Sequence, residues 1–380
     1  MDILLITGFF QAVFLLVFLT AKKKRNKSDK YLASLVGLYG LSIGGAWFEL
    51  YNYRNGFPFP ALINTSWLLL MLHGPALWFY IKSLTVEDFR FKPILSLHLL
   101  PFAAFSLMHL FTFMLLPADE KIEMAETEIF RQVYLYMISV AGIGISTISY
   151  NIWALMLIRR HRTNILQFHS ATEGLDLKWL RILTIASLTL YSVNVMLFNL
   201  NMVIPFSSYF QLTLVTYSFA VVYIFFLGYF GLQQPDVFII HQYPQSGKTS
   251  NESSAGNTSG NNTTVIKEEK FIQLLLEYME RMKPYLDPEI TLATLSSKLH
   301  VRPEYLSAAI NSGLRQNFFE FINKYRIEEF KFRIISSENA NLSIMGVAYE
   351  CGFNSKAAFY RAFSKFEKVS PTEYIKAVSP

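Results

Sequence analysis

Long apolar runs free of Asp, Glu, Lys and Arg fill the first 235 residues: Ile3 to Thr20, Tyr31 to Phe48, Ala61 to Ile81, Ile94 to Leu116, Val133 to Ile158, and Ile182 to Pro235. Roughly 20 apolar residues span a bilayer as a helix, and backbone in lipid must satisfy its hydrogen bonds internally. The last run, broken near Pro205, is long enough for two crossings. The pattern therefore predicts seven transmembrane helices within residues 1–240. Beyond them the periodicity changes. Val265 to Lys283 is amphipathic, with Phe271, Leu274, Leu275, Tyr278 and Met282 on one face. This helix either packs on the next domain or pairs with a second copy. Further short apolar stripes continue from Pro284 to the end.

Composition supports this division. The chain is 52% hydrophobic and 16% charged, with mean hydropathy +0.29, which is too apolar for an ordinary water-soluble protein. Residues 1–232 hold 17 Lys/Arg and 12 Asp/Glu, while the shorter remainder holds 17 and 16. The first run lacks a preceding basic residue and a small-residue cleavage site, and Lys22, Lys23, Lys24, Arg25 and Lys27 follow it, so it reads as an anchor rather than a cleaved signal. The loops after helices one, three and five carry many more basic residues than the alternate loops, which hold one, two and none. This excess puts the N-terminus outside and the C-terminal part in the cytoplasm. The acidic connection Pro117 to Gln132 then faces outward.

Within the spans, His73, His98 and His109 with Asn64, Asn194 and Asn199 either line a pocket or make interhelical hydrogen bonds, the commoner use of such residues. One cysteine, Cys351, excludes an internal disulfide framework and a cysteine-rich zinc site. No metal-ligand spacing, nucleophile elbow or phosphate-cradling glycine loop is found, so neither an enzyme nor a cofactor is expected.

Pro244 to Thr264 reads PQSGKTSNESSAGNTSGNNTT, a composition that cannot bury a core and is expected to form a flexible tether over 241–264. Its N-x-S/T triplets at Asn251, Asn257, Asn261 and Asn262 lie on the cytoplasmic side by the charge count and are read as accidents of composition. After the connecting helix, 265–283, comes a weak repeat over 284–380. Thr291 to Val301 (TLATLSSKLHV) aligns with Ser343 to Phe353 (SIMGVAYECGF), pairing Leu292 with Ile344, Leu295 with Val347 and Leu299 with Cys351. Thr or Ser caps each first helix, and a tight turn comes next at His300 or Gly352. Leu306 then pairs with Phe359, and Ile310 with Phe363. Each copy predicts two short helices meeting at a turn, a helix-turn-helix unit whose second helix enters the major groove. Between them, Asn317 to Ile335 reads as one long helix of about 28 Å, suited to setting two reading helices one duplex turn apart. The expected fold is all-α: a seven-helix transmembrane bundle followed by a cytoplasmic domain with two helix-turn-helix units joined by a long helix.

Residues 284–376 resemble the DNA-binding domain of the AraC/XylS family of transcription regulators. The resemblance runs through GFNSKAAFYRAFSKFEKVSPTEY, Gly352 to Tyr374, and through NFFEFINKYRIEEFKF, Asn317 to Phe332, as the linker helix. The whole chain is similar to membrane-bound members with an N-terminal multi-helix region, to which HLLPF, His98 to Phe102, also fits. The resemblance implies a reading surface of Glu304, Ser307 and Ala308, with Asn311 and Arg315, in the first unit. In the second it implies Lys356, Ala357, Tyr360 and Arg361, with Asn354 or Ser355 capping the helix near phosphate. The family often has Arg where this chain has Ala308, so Lys356 and Arg361 carry the expected base contacts.

The expected function is a membrane-anchored, sequence-specific DNA-binding transcription regulator. Its implied partners are double-stranded promoter DNA, membrane lipid, a second copy as a homodimer, RNA polymerase and an unknown signal ligand. The implied location is the bacterial inner membrane. With 12 Lys/Arg against 10 Asp/Glu, residues 284–380 are nearly neutral, so binding is expected to rest on site recognition more than on non-specific attraction to phosphate. A reading of another class stays open: a transporter or membrane enzyme with a C-terminal protein-interaction domain.

Overall fold

A computed structural model describes residues 2–23, 25–86, 89–129, 134–233, 261–335 and 342–378. These residues are almost wholly helical and contain no strand beyond one isolated bridge. The tether lies mainly outside the described residues. The chain forms two compact bodies, Met1–Arg160 with Leu177–His241, and His161–Asp176 with Gln242–Pro380.

In the first body, seven helical segments among the described residues are long and apolar enough to cross a bilayer, and they coincide with the predicted runs. They comprise α1 (Asp2–Ala21), α2 (Lys27–Arg54), α3 (Leu70–Thr85) with the short turns before it, α4 (Leu100–His109) with its flanking turns, α6 (Tyr134–Phe168), α7 (Lys178–Val203) and α8 (Tyr209–Gln233). A helix that the periodicity did not suggest, α5 (Ala118–Thr127), sits in the acidic connection. Its buried Ala125 packs with Phe57, Ile63 and Phe113, while Asp119 and Glu120 occupy its first turn, where carboxylates suit the helix dipole. At about 1.5 Å per residue α6 is about 52 Å long, well beyond a hydrocarbon core of about 30 Å. Its last turns carry Arg159, Arg160, His161 and Arg162.

The core of this body joins α1, α2, α3, α6, α7 and α8 through residues such as Leu15, Leu32, Leu77, Ala154, Leu180 and Ile224. A Cβ at Gly228 of α8 would stand 2.4 Å from Leu15, so the bare glycine is what lets α1 and α8 approach. Of the buried carboxylates of α2, Glu49 accepts hydrogen bonds from the Thr65 and Ser66 amides, each at 2.8 Å. Outward, α1 presents Ile3, Phe10, Phe14 and Phe18, and the α4 segment has no residue buried in its most apolar window.

Three of the six His and Asn candidates in the apolar segments bond between helices. His73 of α3 meets Ser42 of α2 at 3.0 Å and Tyr191 of α7 at 2.6 Å. His98 meets Tyr150 at 2.5 Å, Asn194 donates to Thr216, and Asn199 turns back on its own helix at the Val195 carbonyl.

The second body contains α9 (Asn261–Met282), α10 (Leu292–Lys298), α11 (Pro303–Ala308), α12 (Phe318–Ile335), α13 (Ile344–Glu350), α14 (Lys356–Glu367) and α15 (Pro371–Val378). The amphipathic helix α9 begins four residues earlier than its pattern suggested. It packs on the first helix-turn-helix unit, burying Leu275 and Met279 with Leu292, Leu306 and Ile322. A second core gathers Phe330 of α12 with Val347, Cys351, Phe359 and Phe363. Burial pushes the Cys351 thiol up to about 12, so it is an inert core residue.

Arg326 of α12, 1% exposed, ties these parts together. Its Nε donates to the Tyr285 carbonyl and its terminal nitrogen to the Asp287 carbonyl, both at 2.7 Å, and its guanidinium lies 5.7 Å from the Phe353 ring. Gly352, at φ 90°, makes this possible, since a Cβ there would fall 2.5 Å from the Tyr285 carbonyl oxygen. Beside it, Glu329 receives Lys283 at 2.9 Å, Tyr285 at 3.2 Å and Arg333 at 2.7 Å.

Burial opposes ionisation of Glu329, but the bonds from Lys283 and Arg333 outweigh it and hold its carboxyl below the usual carboxylate range. A depressed acid stabilises the fold above the unfolded value of about 4.3, and that contribution is lost as pH falls through the folded value. Glu329→Gln is expected to cost about 1–3 kcal/mol at neutral pH and to reduce the loss of stability below about pH 4. Urea unfolding of the solubilised chain at pH 7 and pH 3.5 measures both.

Candidate nucleic-acid interface

The first helix-turn-helix unit is built from α10, the turn at His300 and α11. Thr291 caps α10 by accepting from the Thr294 amide, and His300 takes the left-handed conformation at φ 55° to turn the chain. Pro303 stands in the first helical position of α11, where its missing N–H costs nothing. The helix continues into a wider turn, Ala309–Gly313. Leu306, Ala309 and Ile310 face inward. Glu304, Ala308, Asn311 and Arg315 are exposed and Ser307 is half-buried, its hydroxyl accepting from Asn311 at 3.1 Å. This outward face carries Glu304 and no Lys or Arg between Arg302 and Arg315.

The second unit repeats the plan with α13, the turn at Gly352 and α14. Ser343 caps α13 through the Gly346 amide at 3.0 Å. Ser355, rather than Asn354, caps α14, accepting from the Ala358 amide at 3.1 Å. Phe359, Ala362 and Phe363 are buried, with Phe330 and Phe359 rings 4.6 Å apart, so the opposite face of α14 is committed outward. Lys356, Ala357 and Arg361 are exposed there and Tyr360 is half-buried, with the Lys356 ammonium 5.5 Å from the Tyr360 ring. Lys365, one turn beyond Arg361, lies on the same face and pairs with Glu320 of α12. It was not among the sequence candidates, although its i+4 spacing from Arg361 signalled it.

The structure thus brings Lys356, Ala357, Tyr360 and Arg361 onto one helix face, with Asn354 and Ser355 at its start. Glu304, Ser307, Ala308, Asn311 and Arg315 belong to the first unit. The two faces differ in charge, the second being basic and the first not. One further residue at this surface was missed by sequence reasoning. Glu173, from segment 161–176, accepts the Ser355 hydroxyl and an Arg361 N–H at 3.4 Å. The same arginine's Nε donates to the Ala357 carbonyl at 3.1 Å. No sequence periodicity signals a contact across that separation. Among the described residues no cluster of His, Cys, Asp and Glu is suited to a metal ion.

Residues 295–377 match the family described as Helix-turn-helix domain. Two curated proteins of Bacillus subtilis (strain 168) are similar over the same region. The uncharacterized HTH-type transcriptional regulator YisR is 29% identical over 98 residues, 26% of this chain and 33% of its own length. The uncharacterized HTH-type transcriptional regulator YtdP is 25% identical over 88 residues, 23% of this chain and 11% of its own length. The chain therefore spans a third or less of these relatives. No solved structure matches it. The C-terminal part of the chain is a helix-turn-helix domain of the AraC type.

Proposed function

We propose that this protein is a membrane-anchored transcription regulator that binds promoter DNA sequence-specifically through its two helix-turn-helix units. The observation that carries this is the outward face of α14, where Lys356, Tyr360 and Arg361 project from a helix held by a phenylalanine core in a domain of a DNA-binding type. Arg and Lys pair with guanine O6 and N7, and a good bidentate contact contributes roughly 1–3 kcal/mol. The first unit, lacking such a cation on α11, positions more than it specifies. RNA polymerase and a second copy of the chain are the expected protein partners at the promoter.

Anchoring rests on the seven apolar segments and on their outward Phe, Leu and Ile side chains, which water would not tolerate over so large an area. The basic-loop count orients the N-terminus outward and the DNA-binding part to the cytoplasm of a bacterial cell. The first body also holds a cavity of about 270 Å³, lined by Tyr39, Ser187, Tyr191, Asn194, Thr216 and Tyr223 among others. It is uncharged and mostly apolar, which suits a neutral amphipathic signal molecule. Sensing there supplies a function beyond anchoring for the membrane half.

Four measurements test this reading. Selection of random duplexes by the solubilised chain, at two salt concentrations, is expected to return a motif with two half-sites about ten base pairs apart. Lys356→Ala with Arg361→Ala should weaken that selective binding by roughly 2–6 kcal/mol in total. Sequence-blind, purely salt-driven binding would remove the regulator reading. A membrane-impermeant maleimide should label Glu123→Cys in intact cells and leave Lys92→Cys unlabelled, against a low background because Cys351 is buried. The reverse labelling inverts the topology. Ala220→Trp, which fills the cavity, should change target-gene output while duplex selection stays the same, and unchanged output would reduce the membrane half to an anchor.

A further inference from the structure

Segment 161–176, the last turns of α6 and the loop after it, leads on to α7 in sequence, yet it belongs to the DNA-binding body. Phe168 packs on the core of the first helix-turn-helix unit. His169 makes a backbone bridge with Thr291, the cap of α10, and the Ser170 hydroxyl donates to the Ile290 carbonyl at 2.7 Å. From α12, Asn323 donates to the Ser170 carbonyl at 3.0 Å and Arg326 reaches the Ser170 hydroxyl at 3.4 Å. Ser170, Asn323 and Arg326 are each 2% exposed or less and hydrogen-bonded, so this is a packed contact.

Three residues further on, the segment reaches the second unit. One carboxylate oxygen of Glu173 takes both the Ser355 hydroxyl and the terminal N–H of Arg361. With its Nε turned back on the Ala357 carbonyl, Arg361 has two of its three guanidinium nitrogens engaged within the chain. Ser355 still accepts the Ala358 amide and has given its only hydroxyl proton to Glu173. These two residues are candidates for DNA contact, and a carboxylate oxygen is the chain's own analogue of a phosphate oxygen.

We propose that segment 161–176 is a self-inhibitory strap. Glu173 occupies the anion site formed by Ser355 and Arg361, so strap docking and duplex binding exclude one another. The proposal rests on the DNA-binding reading of α14. The Arg361–Glu173 pair is partly solvated, with 45% and 31% of the two side chains exposed, and such a pair contributes little. A polyanion offering several phosphates can displace it. Because both ends of the strap continue into spanning helices, a change in α6 or α7 has a covalent route to the reading surface.

The test measures affinity of the full chain, solubilised or in nanodiscs, for its selected duplex. Glu173→Gln and Glu173→Ala should bind about 3- to 10-fold more tightly than wild type. Ser170→Ala, which loosens the strap away from α14, should move the same way. Glu277→Gln removes one negative charge from the exposed face of α9, away from the strap residues named above, and its affinity should stay within about twofold of wild type if the effect is local rather than a matter of net charge. Hydrogen exchange of the His169 to Glu173 amides should rise when wild type binds duplex. Glu173 variants that bind no more tightly than Glu277→Gln, with no rise in exchange, would overturn the strap while leaving DNA binding intact. If neither wild type nor variants select any duplex, the DNA-binding reading falls and the strap with it.

Discussion

The second body depends on one buried cation. An isolated guanidinium costs several kcal/mol to bring out of water, so it persists in an interior only where carbonyls or carboxylates surround it. Arg326 finds two carbonyls, at Tyr285 and Asp287, in the turn that leads into α10, and an aromatic face at Phe353 in the turn that leads into α14. Burial lowers it to about 10, which still leaves it charged at neutral pH. One side chain of α12 therefore sets where the first helix-turn-helix unit starts and where the second one turns. Gly352 is the complement, since any side chain there would push away the backbone that Arg326 holds.

Charge is distributed in keeping with that scaffold. Glu329 gathers Lys283, Tyr285 and Arg333 on the flank of α12, and Lys365 and Lys331 are tied to Glu320 and Glu367. Much of the domain's basic charge is thus consumed within the fold. What reaches the surface of α14 is a small set of side chains whose positions are determined by the Phe330, Phe359 and Phe363 packing beneath them. A nearly neutral domain of this kind attracts phosphate weakly at a distance and depends on fit at close range.

The parts legible in the sequence were those with a period or a backbone requirement. Charge-free runs marked the seven apolar segments, and the paired Leu and Phe positions marked two helix-turn-helix units with turns at His300 and Gly352. Thr291 and Ser343 were readable as caps because they stand immediately before an apolar stripe, while Ser355 was one of two capping residues, with Asn354, that the family resemblance implied. Arg326 was not readable as core, since an arginine in an amphipathic helix looks like a surface residue until its carbonyl partners are known. Helix α5 was hidden in a connection whose acidic residues masked its apolar side. Segment 161–176 was hidden most deeply: its contacts lie some 120 to 190 residues away, and a hydropathy profile shows it as a plain loop.

The unlike chemistry of α11 and α14 has one more consequence. A domain whose two reading helices matched would sit equally well on a duplex in either direction. Here one end carries Lys356, Arg361 and Lys365, and the other carries Glu304 beside the small Ala308. On the proposed DNA-binding reading the target is a sequence with a strong end and a weak end, and the bound chain points along the DNA like an arrow, presenting one fixed side to whatever stands downstream.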